Sequence, residues 1–174
     1  MPFEILEAGP PLTELQVDRL ERQLGMTLPK NYRSFLLRYN GGRPDPAFFP
    51  IRDFDRSAFG DRSPFGAIHF FFGLSRTVQS SNLGWNFSTL RGRMPRELLP
   101  IAGDESGNRI CLAVTGTNAG CVYFWDHDDE HSPPTYANLY LIASSFEEFL
   151  DGIYFEDISA DVARALGKSS PSRH

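Results

Sequence analysis

The chain of 174 residues has only two cysteines, Cys111 and Cys121. A domain of this length buries about two-thirds of its unfolded surface, so folding calls for neither a disulfide framework nor a structural metal. Long apolar runs are also missing. The longest, 67–74, contains His69 and is far too short to cross a bilayer, so no membrane partner is expected. Glu4 and Glu7 stand where the basic opening of a secretory signal would lie, which makes a cytoplasmic location the expectation. The motifs GxGxxG, GxxxxGK[ST] and GxSxG are absent. That excludes the common phosphate-cradling loops and the nucleophile elbow, and no cofactor is expected. What is present is ordinary globular material, 41% hydrophobic and 22% charged, with the length of one domain at roughly 150 residues each. Fifteen Phe, six Tyr and two Trp can fill a sizeable core. Fifteen Gly and thirteen Pro announce many turns and short elements.

Charge is unevenly spread. Residues 1–125 hold 14 Lys/Arg against 12 Asp/Glu, whereas 126–161 hold ten acids and no Lys or Arg. A one-signed stretch is commonly a solvated face. Its functional counterpart is a negative field that draws in a basic partner and repels phosphate backbones, so direct nucleic-acid binding is not expected.

Residues 12–24 predict a first helix. Thr13 is placed to cap it, Gln16 completes a capping box, and Val17, Leu20 and Leu24 share one face. Gly25 is the expected stop. Pro29 suits the first turn of a second helix, along which Tyr32, Phe35, Leu36 and Tyr39 recur at i, i+3, i+4 and i+7. Asn40-Gly41-Gly42 ends it. Residues 43–66, with four prolines, read as a long ordered loop, 67–74 as a buried strand and 81–93 as an ambiguous segment with helical leanings. A short strand at 98–102 precedes a turn over 103–108. Strands 109–114 and 121–125 flank hairpin chemistry at 115–120. A strand at 136–143, a helix opened by Ser145 and Glu148, a last short helix at 158–166 and a flexible tail at 168–174 complete the chain. Helices at both ends around a run of strands give the fold class α+β, one domain over 1–167.

The acidic stretch 126–131 sets His127 and His131 four apart, as zinc ligands on a helix stand. The Ser132-Pro133-Pro134 run that follows opposes a helix, and the glycine and distant glutamate of a calcium loop are missing. A solvated acidic loop is the expectation and a metal site is not. Cys111 and Cys121 lie symmetrically about Gly116 and are expected opposite one another, as small core residues with reduced thiols. Neither is placed as a nucleophile, since both alternate within apolar strands. Asp104-Glu105 offers paired carboxylates, but a turn before a hairpin is a common resting place for acids. No enzyme is expected.

The landmarks taken in order resemble the SUKH superfamily, which includes the fungal Smi/Knr cell-wall regulators and many bacterial immunity proteins. The resemblance rests on Leu28-Pro29, Tyr32, Phe35-Leu36 and Asn40-Gly41-Gly42-Arg43-Pro44. It continues through Leu99-Pro100-Ile101-Ala102-Gly103-Asp104, Gly107-Asn108-Arg109-Ile110-Cys111-Leu112 and Gly120-Cys121-Val122-Tyr123-Phe124-Trp125-Asp126-His127. It ends in Ile142-Ala143-Ser144-Ser145-Phe146 with Phe149-Leu150. The resemblance implies a strongly twisted, mainly antiparallel central sheet with helices packed around it. Fifteen Arg against two Lys hint at a GC-rich, bacterial genome. For a bacterial member the resemblance implies a non-enzymatic immunity protein that binds and neutralises a co-encoded toxin. Many toxins opposed by the superfamily are nucleases, whose basic clefts hold phosphates and would accept an acidic face. On that reading Asp104, Glu105, Asp126, Asp128, Asp129 and Glu130 form a partner-facing edge, with Tyr123 and Trp125 as aromatic anchors. Trp125 is equally readable as a core residue. The expected partner is a cognate, basic protein toxin. The alternative is an intracellular scaffold or peptide-binding regulator like the fungal branch, and a third reading is a metal-assisted hydrolase using the acidic loop.

Overall fold

A computed structural model describes residues 4–52 and 64–154. The expected helix at 158–166, the tail at 168–174, the domain end at 167 and part of the expected loop 43–66 lie outside the described residues. None of the described helices is long and apolar enough to cross a membrane.

Local chemistry fixes the first two helices. Helix α1 (Glu14–Leu24) opens on Thr13, whose hydroxyl accepts from the Gln16 amide at 3.3 Å while the Gln16 carboxamide accepts from the Thr13 amide at 2.8 Å. This is the reciprocal box expected from the sequence. Gly25 closes the helix in the left-handed region at φ 66. Helix α2 (Lys30–Tyr39) follows Pro29 and ends on Asn40, itself left-handed at φ 49. Asn40 is buried, and its carboxamide accepts from the Leu74 amide at 2.6 Å and donates to the Leu74 carbonyl at 3.1 Å. One side chain thus ends a helix and fastens a distant loop. Gly41 follows at φ 79, and a Cβ there would lie 2.6 Å from the Phe71 carbonyl oxygen, so the approach requires glycine.

Among the described residues the strands form three antiparallel groups. β1 (Glu4–Leu6) pairs β2 (Arg43–Asp45), and β3 (Phe48–Pro50) pairs β4 (Phe65–Ala67). The central sheet runs in sequence order through β5 (Phe70–Phe71), β6 (Leu98–Gly103), β7 (Arg109–Ala113), β8 (Val122–Trp125) and β9 (Leu139–Ala143). Helix α3 (Leu83–Leu90) lies before β6, and α4 (Phe146–Asp151) follows β9. The α+β class and the antiparallel central sheet agree with expectation.

Three expectations change. The stretch 43–50 holds two short strands instead of loop alone. The run 67–74 is not one strand: β4 leaves it toward β3, and β5 joins β6, with an exposed His69 between them. The backbone at the switch stays paired, because the Ile68 amide donates to Ala47 and the His69 amide to Gly103, both at 2.8 Å. The hairpin register also differs. Cys111 opposes Tyr123, and the Ala113 amide donates to the Cys121 carbonyl at 2.9 Å, so the cysteines sit diagonally instead of face to face.

The sheet is buried on both sides, which explains why β6 reads as a continuous apolar run. One core gathers Leu99, Ile101, Ile110, Leu112 and Phe124 against Val17, Leu36 and Phe149 of the helices. The other gathers Leu98, Cys111, Ala113, Tyr123 and Trp125 against Leu90, Met94 and Leu139. Both cysteines are free thiols. Burial pushes the Cys111 thiol far above the ordinary cysteine range, which keeps it protonated and shielded. Alkylation of the native protein, mapped by mass spectrometry, is expected to spare Cys111 until denaturant is added. Native labelling of Cys111 would contradict this placement.

Candidate functional site

Two turns shape the acid-rich edge. After β6, the Asp104 carboxylate accepts from the amides of Ser106 at 2.9 Å and Asn108 at 2.8 Å, and from the Asn108 carboxamide at 2.7 Å. Asn108 then reaches the second turn. Its Oδ1 accepts from the His127 amide at 3.2 Å and lies 2.8 Å from His127 Nδ1. Asp126, 2% exposed, accepts from the Asp128 amide at 3.0 Å and so caps the 3-10 turn His127–Asp129. Beneath the first turn, Arg109 donates to the carbonyls of Gly107 at 2.7 Å and Asn108 at 3.0 Å. Desolvation lowers the Arg109 pKa, against the favourable pull of the Asp104 carboxylate. Asp104 and Asp126 therefore carry shape, while the exposed Glu105 and Asp128 carry charge to solvent.

These turns form one wall of an open cleft of about 780 Å³, with β2 and the segment 65–69 opposite. Ile51, Phe65 and Phe124 supply apolar lining, and five carboxylates, those of Asp45, Asp104, Glu105, Asp126 and Asp128, also line it. Arg43 is the one arginine in the lining among the described residues, and its guanidinium already stands 3.3 Å from Glu7. His69 Nδ1 is 3.3 Å from Glu105, so the imidazole faces the same acids. The cleft is a concave site of strongly negative sign.

Four of the sequence-derived site residues, Asp104, Glu105, Asp126 and Asp128, meet at this cleft. The other four do not. Asp129 is exposed on the adjoining turn and is not among the lining residues. Glu130 is bound bidentately by Arg93, at 2.7 Å from Nε and 2.6 Å from Nη2. Tyr123 and Trp125 are buried on the far side of the sheet, in the second core, because alternate residues of β8 face opposite ways and Phe124 takes the cleft side. They pack the fold instead of anchoring a partner at this edge. Asp45, Phe65 and His69 were missed, since only the non-local pairing of β2 and β4 brings them to the acids.

The Arg93 hydrogen bond holds the Glu130 carboxyl below the ordinary glutamate value of 4.5. A depressed folded-state pKa adds stability above the unfolded value and loses it as pH falls through the folded one. Glu130→Gln is therefore expected to cost at most about 1 kcal/mol near neutrality, because the pair is solvent-screened. The difference should close in acid, as read from thermal unfolding at several pH values.

Asp126, His127 and Asp128 could each offer a metal one ligand atom, all within 4.8 Å of one another. Both nitrogens of His127 are already engaged, Nδ1 with Asn108 at 2.8 Å and Nε2 with Asp128 at 3.2 Å. The trio serves as a hydrogen-bonded turn.

A sequence profile of the SMI1 / KNR4 family (SUKH-1) matches residues 11–152, a span holding every helix described above and both acidic turns. The chain belongs to the SMI1 / KNR4 (SUKH-1) family. It is also similar to the SPbeta prophage-derived uncharacterized protein YokK of Bacillus subtilis (strain 168), at 31% identity over 160 residues, 86% of this chain and 78% of that protein. SUKH-1 membership supports, in general terms, an immunity or toxin-neutralising role exercised through protein–protein contact.

Proposed function

We propose that this SUKH-1 protein is a non-enzymatic, cytoplasmic immunity protein that binds a co-encoded basic toxin in the cleft between β2 and the two acidic turns. The observation that carries this reading is the convergence of five carboxylates on one concave site where, among the described residues, one arginine lines the wall and is already paired. A basic loop of the toxin would lay the aliphatic stems of its Lys or Arg side chains against Phe65 and Phe124 and set their heads among Asp45, Glu105 and Asp128. A nuclease fits this chemistry well, since the cations that hold its substrate's phosphates would be occupied by carboxylates instead.

The test is capture of partners by the tagged protein from its source cells, with washes at low and high salt. One stoichiometric, basic partner released progressively by salt is expected. Several weak partners indifferent to salt would favour the scaffold reading and reduce the cleft to a solvated surface.

A further inference from the structure

The chain carries a second groove, of about 660 Å³, between the end of α1, helix α3 and the turn 91–96. Its sign is opposite to that of the cleft. Arg22, Arg91 and Arg96 line it and all three are exposed. Among the described residues, no carboxylate pairs with any of them. The nearby acids are already taken. Glu14, Asp18 and Glu21 of α1 all face Arg33, at 2.6, 2.7 and 3.7 Å, and Glu130 faces Arg93. Three unpaired guanidinium groups thus remain around one depression in a protein whose net charge is −5.

The bed of the groove is apolar and adaptable. Met26 and Met94, two of the three methionines in the chain, both line it, beside a half-buried Phe87. Methionine is unbranched and polarizable, and it recurs where a surface must accommodate varied apolar side chains. Arg91 and Arg93 flank Gly92, whose φ of 82 sets a tight turn, so Arg91 is presented to the groove while Arg93 is spent on Glu130. Free cations above a thioether and aromatic bed select carboxylates and apolar side chains together. A free small anion would leave the apolar bed unused. A nucleic acid strand would face a net negative protein with three cations to offer.

We infer that this groove is a second binding surface, for a segment of a partner protein in which acidic and apolar residues alternate. Its carboxylates would pair with Arg22, Arg91 and Arg96, and its apolar side chains would rest on Met26, Phe87 and Met94. The inference is independent of the toxin reading, which uses another face.

The test is fluorescence anisotropy with the full-length protein and a short labelled peptide of alternating Glu and Leu. The same peptide with Ser in place of Leu, and one with Lys in place of Glu, serve as comparisons. Saturable binding of the Glu/Leu peptide is expected, with the comparison peptides bound roughly tenfold or more weakly. Arg91→Glu with Arg96→Glu is expected to weaken it by a similar factor, while Glu105→Lys with Asp128→Lys in the cleft leaves it unchanged. Circular dichroism of each variant verifies the fold. Equal binding of the Glu/Ser peptide would overturn the inference, since charge alone would then suffice. So would displacement of the peptide by a single-stranded oligonucleotide at comparable concentration. Self-association of the protein that is abolished by the same arginine variant would make the occupant a second copy, and would overturn it too.

Discussion

Trp125→Ala is expected to destabilise the protein by about 3–5 kcal/mol, a large share of the about 5–15 kcal/mol that a domain has in total. The indole is 1% exposed and belongs to the second core with Cys111, Met94 and Leu139, so truncation leaves a cavity that the rigid sheet cannot collapse to fill. The Arg93 guanidinium, 5.6 Å from the ring centroid, also loses its platform. Trp125→Phe should cost much less, because it keeps an aromatic ring and discards an indole N–H that has no hydrogen-bond partner among the described residues. Denaturant unfolding separates the outcomes. An alanine variant as stable as the parent but defective in partner binding would return Trp125 to the role of a contact residue.

A second large effect is expected at the cleft. Glu105→Lys with Asp128→Lys should slow association with the cognate toxin roughly tenfold or more at low salt, and the difference should shrink as the Debye length falls to about 3 Å in 1 M salt. Both side chains are exposed, at 83% and 64%, so the fold is expected to survive. Reversal of Asp104 or Asp126 would be a poor test, since each holds a turn by accepting backbone amides. Asp129→Lys, outside the cleft lining, should change the rate less. Stopped-flow association over a range of salt concentrations measures all three. Equal rates for the parent and the double variant at low salt would sink the cleft assignment while leaving family membership untouched.

Much of this was legible in the sequence where the physics is local. Thr13 with Gln16, Gly25, Pro29 and Asn40-Gly41-Gly42 mark helix ends by chemistry within a few residues, and the helices fall where those residues put them. The order of strands in the central sheet was not legible in the sequence, although each strand from β5 to β9 proves to pair with its neighbour in the chain. What sequence could not show depends on partners far along the chain. The strands of 43–50 and 65–71 are two or three residues long, too short for a period, and exist because β1, β3 and β6 are there to pair with them. The hairpin register was centred one residue early, on Gly116, because the turn spans more residues than the glycine marks. At the site, the acids of the two turns were visible as acids. The facing of β8, which sends Phe124 toward the cleft and Tyr123 and Trp125 away, was not, since every residue of that strand is apolar or aromatic.

The division of labour within the two acidic turns has an evolutionary consequence. Asp104, Asn108 and Asp126 form a frame of hydrogen bonds that ties the turns together, and the groups that project from it, Glu105 and Asp128, are exposed. Were the cleft to bind a toxin as proposed, recognition could drift from one adversary to the next by exchange of a few projecting side chains, with no need to solve the packing problem again. A lineage in conflict with changing opponents would keep the frame and rewrite the rim.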